Sequence, residues 1–289
     1  MITTSKLTKS YRKKDVLKGV DLEAERGQIV GIFGANGSGK TTFLKCAAGL
    51  ASFGGELLID GRSPVKDCSV LKEVGVMIDV PSFYKDMTGR ENLKFFCNDL
   101  SSAEQYIKIL GVEDFIDKRV RTYSAGMRQK LGILTACVKG KKLVLLDEPF
   151  NGLDVLSLDK ADELLDTCRK SGACLILTSH MLEHSGALCD RYYLLKDGKV
   201  FKNEDLEKFG KRLYRVEMKD ADRADAIVRE FESNVCDKSA KTFEVAFENE
   251  DERLKFLNAI LGCDFLSVKE TTDTVEGKYR IMERKDEAR

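Results

Sequence analysis

Apolar residues in the first two hundred positions come in short, dense runs, and beyond them in alternating rows. The runs 28–33, 74–78, 143–146 and 173–178 are almost free of polar side chains. A strand can be apolar at nearly every position only where both faces of its sheet are covered, so these runs predict a largely parallel sheet with helices packed on it. Between Lys85 and Val138 the pattern is almost wholly helical, which predicts a helical subdomain over about 85–138. Asp197 and Gly198, set between the strand-like stretches 191–196 and 199–201, are the residues of a tight hairpin turn. After about 205 the character changes. Strand-like rows at 213–218, 242–247 and 278–282 are interleaved with charged helical segments at 221–231 and 251–261. The expected organisation is an α/β domain over 1–204 and a small α+β domain over 205–289.

Composition narrows the class of protein without identifying it. A chain of 289 residues can hold one large core and a smaller one beside it. With 43% apolar and 33% charged residues it has the balance of a globular protein, not of a disordered one. The 48 basic and 48 acidic side chains cancel, which gives no sign of the basic face of a nucleic-acid binder. No apolar run approaches the roughly 18 to 20 residues that span a bilayer. The opening residues, MITTSKLTKSYRKK, lack the apolar segment and cleavage site of a secretory signal. A membrane role is therefore expected to come through a partner. The nine cysteines, an odd number without a CxxC pair, read as free thiols of a reducing cytoplasm. His180 and His184 are the only histidines, too few for a His-rich metal site.

Candidate chemistry begins at residues 34–41, GANGSGKT, which satisfy GxxxxGK[ST] at every fixed position. The motif follows an apolar strand and opens a helix, which is the setting it requires. Gly34, Gly37 and Gly39, with Asn36 and Ser38 between them, let backbone N–H groups converge on phosphate oxygens without Cβ clashes. The helix N-terminus at Thr41 and Thr42 adds a field that favours anions. Lys40 is the expected cation at the β- and γ-phosphates, and the Thr41 hydroxyl an expected Mg²⁺ ligand. The apolar run 143–146 ends in Asp147 and Glu148. Asp147 suits the Mg²⁺ shell, and Glu148 suits a general base that polarises an attacking water.

Further motifs follow in a fixed order. Residues 123–129, YSAGMRQ, lie just before the acidic strand and begin a helix; 151–154 read NGLD; 178–180 read TSH after a strand; Tyr11 stands near the N-terminus. Together they resemble the ATP-binding subunits of ABC transporters, over residues 1 to about 200. Among these the chain resembles the bacitracin-type and lantibiotic-immunity exporters. The resemblance implies a P-loop NTPase fold with a mixed sheet and a helical subdomain, a function in ATP hydrolysis, and ATP and Mg²⁺ as ligands. By position it assigns Tyr11 to stacking on adenine, and Ser124 and Gly126 to the signature that contacts the γ-phosphate held by a second subunit. It assigns Asp154 to the loop after the acidic strand, and His180 to the γ-phosphate and the water. It implies two nucleotide-binding subunits, identical or different, packed head to tail, a separate membrane permease, and a place on the inner face of the cell membrane.

The chain departs from the family pattern at three places. Asp79 stands where most members carry glutamine and the bacitracin-type members usually glutamate; as an oxygen donor it remains a candidate Mg²⁺ ligand. Ala125 replaces a signature glycine, and Met127 stands where a glutamine is usual. Phe95 and Phe96 open the helical subdomain and are candidates for contact with a permease helix. His184 fits no family position and is expected on a helix surface. The remaining alternative is a soluble ABC ATPase with a regulatory, nucleic-acid- or ribosome-associated role. Against it stand the single ATPase domain, the lack of sustained heptads and the lack of a basic stripe.

Overall fold

The computed structural model describes all residues except 13, 80, 81, 181, 203–211, 248, 262 and 272–289. The chain divides into two compact units, Met1–Lys202 and Asn203–Arg289.

The first unit is built on a six-stranded sheet. Its strands are β3 (Ile29–Phe33), β5 (Val74–Met77), β6 (Leu143–Asp147), β7 (Cys174–Ser179), β8 (Arg191–Lys196) and β9 (Lys199–Lys202), in the order β5-β6-β7-β3-β8-β9. The first five run parallel, and β9 returns antiparallel from β8. Every residue of β3, β6 and β7 is buried, which is why those runs carry so few polar side chains. The β8–β9 turn places both Asp197 (φ 50°) and Gly198 (φ 78°) in the left-handed region, as a type I′ hairpin needs.

Helices α1 (Lys40–Ala47), α5 (Ala125–Lys139), α6 (Val155–Lys170) and α7 (Leu182–Leu188) connect the strands. Helices α2 (Gly89–Phe96), α3 (Ala103–Leu110), α4 (Glu113–Ile116) and the start of α5 make the helical stretch expected over 85–138. Thr88 caps α2 in a full capping box with Glu91, so the segment DMTGREN carries its own helix start.

One layer was not apparent in the apolar pattern. β1 (Ile2–Tyr11), β2 (Lys14–Ala24) and β4 (Gly54–Ile59) form a separate antiparallel sheet in the order β2-β1-β4. It buries Ile2, Leu7, Leu17, Val20, Leu22, Leu57 and Ile59 in one core with Val30, Ile32, Leu145 and Ile176 of the larger sheet. The first unit therefore joins a mostly parallel sheet to an antiparallel one through a shared apolar layer.

In the second unit the described strands are β10 (Arg212–Met218), β11 (Val235–Lys238), β12 (Thr242–Phe247) and β13 (Phe265–Glu270). With α8 (Ala221–Glu230) and α9 (Glu250–Leu261) they follow the order β-α-β-β-α-β. The sheet order is β11-β12-β10-β13, with every neighbouring pair antiparallel. This is the split β-α-β arrangement. Its core centres on Phe256 of α9, whose ring meets Phe231, Phe243 and Phe247. The strand expected at 278–282 lies outside the described residues.

Candidate nucleotide site

The loop between β3 and α1 closes on a cavity of about 330 Å³ lined by Val16, Asn36, Gly37, Gly39, Lys40, Thr41, Thr42 and Glu148. Gly39 is the N-cap of α1 with φ 115°, a conformation a side chain would strain, and it supplies no capping side chain. The first N–H groups of the helix are thus left for an external acceptor. Gly34 is required for a different reason: a Cβ there would stand 2.2 Å from the Leu195 carbonyl oxygen and 2.7 Å from Ser38 Oγ. The Ser38 hydroxyl is itself buried with no hydrogen-bond partner among the described residues. A polar atom left in that condition is costly unless a ligand satisfies it, and a phosphate oxygen does so.

The Lys40 ammonium is buried at the floor of this cavity. It donates to the Gly34 carbonyl at 2.7 Å and the Ala35 carbonyl at 3.3 Å, and stands 3.5 Å from Glu148 Oε1. The other oxygen of Glu148, Oε2, accepts from the His180 backbone N–H at 3.2 Å and lies 2.8 Å from His180 Nδ1. With a carboxylate at Nδ1, that nitrogen carries the imidazole proton. Beside them, Thr41 Oγ1 donates to Asp147 Oδ2 at 2.6 Å, and Thr178 Oγ1 donates to Asp147 Oδ1 at 2.6 Å. The structure therefore brings Lys40, Thr41, Asp147, Glu148 and His180 into one connected set. Thr178 belongs to it as well, although the sequence singled it out only as part of TSH. Val16, on β2 at the register shift between Asp15 and Leu17, lines the cavity and carried no sequence signal.

The donor set suits a hard divalent cation. Thr41 and Asp147 offer only oxygen atoms, and Mg²⁺ binds through one or two such groups together with substrate phosphates and water. Among the described residues no group of three or more His, Cys, Asp or Glu side chains is placed to hold a metal by itself.

Other expected residues lie apart from the cavity. Tyr11 ends β1, 45% exposed, with the Lys9 ammonium 4.8 Å from its ring centroid. Asp79 has a left-handed backbone (φ 58°), and its side chain, 62% exposed, is ion-paired to Lys45 at 2.8 Å. That hydrogen bond holds the Lys45 ammonium above its ordinary pKa. Ser124 is the N-cap of α5, its Oγ accepting the Met127 N–H at 3.2 Å, while Met127 Sδ accepts the Ser124 N–H at 3.4 Å. Met127 thus closes the capping box in place of the usual Glu or Gln. Ala125 is the first residue of the helix, where a methyl group is accommodated. A Cβ on Gly126 would lie 3.1 Å from the Gly152 carbonyl, so the signature helix starts against the NGLD turn. Gln129, one turn on, donates to the carbonyls of Glu148 and Pro149 at 3.1 and 2.9 Å. Asp154 caps α6, accepting the Ser157 N–H at 2.8 Å; its hydrogen bonds from Ser157 hold its carboxyl below the ordinary range.

His184 corrects an expectation. It is not on an open helix surface but half-buried, 2.9 Å from Asp162 Oδ2 and edge-on to the Phe150 ring at a centroid distance of 4.7 Å. The helical period placed it on α7 correctly; the acidic side chain of α6 that covers it lies far away in sequence.

Comparison with known proteins identifies the family. The ABC transporter family profile matches residues 17–151. The lantibiotic transport ATP-binding protein SrtF of Streptococcus pyogenes is 31% identical over 72% of this chain and 92% of its own length. The bacitracin transport ATP-binding protein BcrA of Bacillus licheniformis is 28% identical over 78% of this chain and 77% of its own. Among solved structures, the dimeric bacterial ABC transporter cassette MJ0796 superposes with a TM-score of 0.63 at 25% identity, over 70% of this chain and 97% of that one. The same cassette is also solved in a post-hydrolysis state bound to ADP and Pi. The chain belongs to the ABC transporter family. It is an ATP-binding, ATP-hydrolysing subunit, and such subunits dimerise and work with membrane permeases. None of these relatives points to the nucleic-acid- or ribosome-associated alternative. Among the described residues no helix is long and apolar enough to cross a membrane.

Proposed function

We propose that residues 1–204 hydrolyse Mg-ATP in a head-to-tail pair of nucleotide-binding subunits that drives an exporter at the inner face of the cell membrane. The observation that carries this reading is the linkage of the phosphate loop to the acidic strand end through Thr41–Asp147 and Lys40–Glu148. Gly34, Asn36, Gly37, Ser38, Gly39 and Thr42 wrap the phosphates. Thr41 and Asp147 hold the Mg²⁺ shell; Asp79, paired to Lys45 apart from the cavity, is the further acidic group assigned to it. When bound, Mg²⁺ neutralises charge on the phosphate oxygens. A phosphate oxygen competes with Glu148 Oε1 for the Lys40 ammonium. Nucleotide binding thereby frees one oxygen of Glu148 to accept a proton from water, while His180 keeps the other in place. Tyr11 covers the adenine from the end of β1.

The signature residues Ser124 and Gly126 and the loop residue Asp154 do not line the cavity of their own chain, which supports their use on a nucleotide held by a second subunit. The Ser124 hydroxyl accepts within its cap and keeps its proton for a phosphate oxygen. For the permease, the exposed rings of Tyr84 and Phe95 stand 4.8 Å apart, and Phe96, which meets both, lines a cavity of about 240 Å³ of mixed character together with Phe83, Ser82, Thr135 and Lys139. A cargo of antibiotic peptides follows the lantibiotic and bacitracin transport relatives; drugs and lipid-like compounds are the other cargo classes of this reading. Residues 205–289 form an accessory domain.

The test is Glu148→Gln, measured for ATP turnover and for oligomeric state with and without Mg-ATP. The expected result is turnover lowered by about 100- to 10,000-fold, with ATP bound and a dimer trapped. Unchanged turnover would remove Glu148 as the base.

A further inference from the structure

The hydroxyl of Thr178 is fully buried, next to two consecutive carboxylates, in a position the signature motifs do not explain. β6 and β7 run parallel with Asp147 opposite Thr178, so the strand register brings the hydroxyl to the acidic strand end. Thr178 Oγ1 accepts the Glu148 backbone N–H at 3.0 Å. An amide can only donate, so the hydroxyl keeps its own proton, and that proton goes to Asp147 Oδ1 at 2.6 Å. The second oxygen of Asp147 takes the Thr41 hydroxyl, also at 2.6 Å. Both Asp147 oxygens are thereby oriented by hydroxyl groups, one from each neighbouring element.

Glu148 itself sits at φ 47°, a region that costs a non-glycine residue free energy and persists only where surrounding contacts enforce it. Its described backbone contacts are three: Gln129 and the Asn151 N–H, at 3.3 Å, on its carbonyl, and Thr178 alone on its N–H. The Lys40 and His180 contacts to its carboxylate depend on that backbone geometry.

We infer that Thr178 is a positioning residue for hydrolysis, its single hydroxyl fixing both the Asp147 carboxylate and the backbone that aims Glu148. The inference rests on the reading of Glu148 as the base and Asp147 as part of the Mg²⁺ shell. It goes beyond that reading by assigning the geometry of both to one fully buried side chain outside the cavity lining.

The experiment compares Thr178→Val, which keeps the shape and loses the hydroxyl, with Thr178→Ser, which keeps the hydroxyl, in the full chain beside Glu148→Gln. Four quantities are read: melting temperature, kcat, KM for ATP, and the Mg²⁺ concentration that half-saturates nucleotide binding. Thr178→Val is expected to lower kcat about 10- to 100-fold, the range for supporting partners of metal ligands, with KM within about threefold and Mg²⁺ half-saturation raised at least about threefold. Thr178→Ser is expected to restore kcat and Mg²⁺ dependence to within about threefold of the parent, even where its lost methyl group lowers the melting temperature. Should the valine variant not fold, Thr178→Ala removes the same hydroxyl and is judged by the same readings.

A hydroxyl-free variant that melts lower yet turns over and binds Mg²⁺ like the parent overturns the inference, as does a serine variant as impaired as the valine one. Loss of turnover in Glu148→Gln beside normal turnover in Thr178→Val sinks the inference alone. Full turnover in Glu148→Gln sinks the underlying reading as well.

Discussion

The phosphate-loop end and the signature end of the ATPase unit are built to opposite plans. At the phosphate loop, Lys40 and Asp147 are buried, Glu148 is strained, and each is held by partners within the same chain. At the signature, Ser124 is exposed, Gly126 faces the Gly152 carbonyl, and neither borders the cavity. The first region is a half-site whose charged side chains are held by their own chain, with the Ser38 hydroxyl and the first N–H groups of α1 left for phosphate. The second has a well-formed helix start and no nucleotide of its own to serve. Gln129 joins the two, since it lies on the signature helix and donates to the backbone of Glu148 and Pro149. A push on α5 therefore has a direct path to Glu148, the proposed base. On the proposed reading, intramolecular contacts preorganise the chemistry and a second subunit completes it.

The largest effect should come from breaking the phosphate-loop half-site. Lys40→Ala removes the buried ammonium, and Glu148 loses its cation. The expected loss in kcat/KM is about 100- to 1000-fold, the scale for deleting one preorganised charge stabiliser, with nucleotide binding to the monomer weakened at the same time. Titration with a fluorescent ATP analogue beside a turnover assay separates the two.

A smaller and more selective effect is expected at the signature. Ser124→Asp keeps an N-cap acceptor, so the melting temperature should stay within about two degrees of the parent, while in the proposed pair a carboxylate would face the phosphate held by the second subunit. ATP-driven dimerisation should be lost and binding to the monomer retained. Ser124→Ala makes the reverse separation: about 1 kcal/mol of stability is lost with the cap, and dimerisation is weakened without charge repulsion. Sedimentation with and without Mg-ATP checks both. A Ser124→Asp variant that still dimerises would mean that the signature does not meet phosphate.

The contrast between the two ends also marks what the sequence made legible. The loop residues 34–42 and the pair Asp147-Glu148 are contiguous, and their chemistry follows from order and spacing alone. The buried strands were visible for a related reason, since a strand covered on both faces must be apolar throughout. The β1–β2–β4 sheet was hidden because its strands are half-exposed, rich in Lys and Thr, and interrupted by register shifts such as that between Thr4 and Leu7. Thr178 was hidden because it reaches the site across a strand register, and Val16 because it stands at a register shift of β2. His184 was misplaced because Asp162 and Phe150, which cover it, are distant in sequence. Local pattern sees periodicity and motif; it does not see which side chain of the next strand stands opposite.

Asp79 lies between the two plans, and the smallest predicted effect concerns it. Its carboxylate is solvent-facing and paired with Lys45, which sits one helical turn beyond Thr41 on α1. An exposed pair of this kind contributes about 0 to 1 kcal/mol, so Asp79→Asn should move the melting temperature little. If Asp79 joins the Mg²⁺ shell, Lys45 and the cation compete for the same carboxylate. Asp79→Asn should then raise the Mg²⁺ half-saturation by about two- to threefold, and Lys45→Met should lower it by a similar factor. The decisive measurement is the double variant. Lys45 also repels Mg²⁺ directly, and that part of its effect survives without Asp79. The competitive part does not, so Lys45→Met should act more weakly in the Asp79→Asn background than alone. Equal effects in the two backgrounds would leave Asp79 as a turn residue neutralised by a neighbouring lysine, and the Mg²⁺ shell to Thr41, Asp147 and the phosphates.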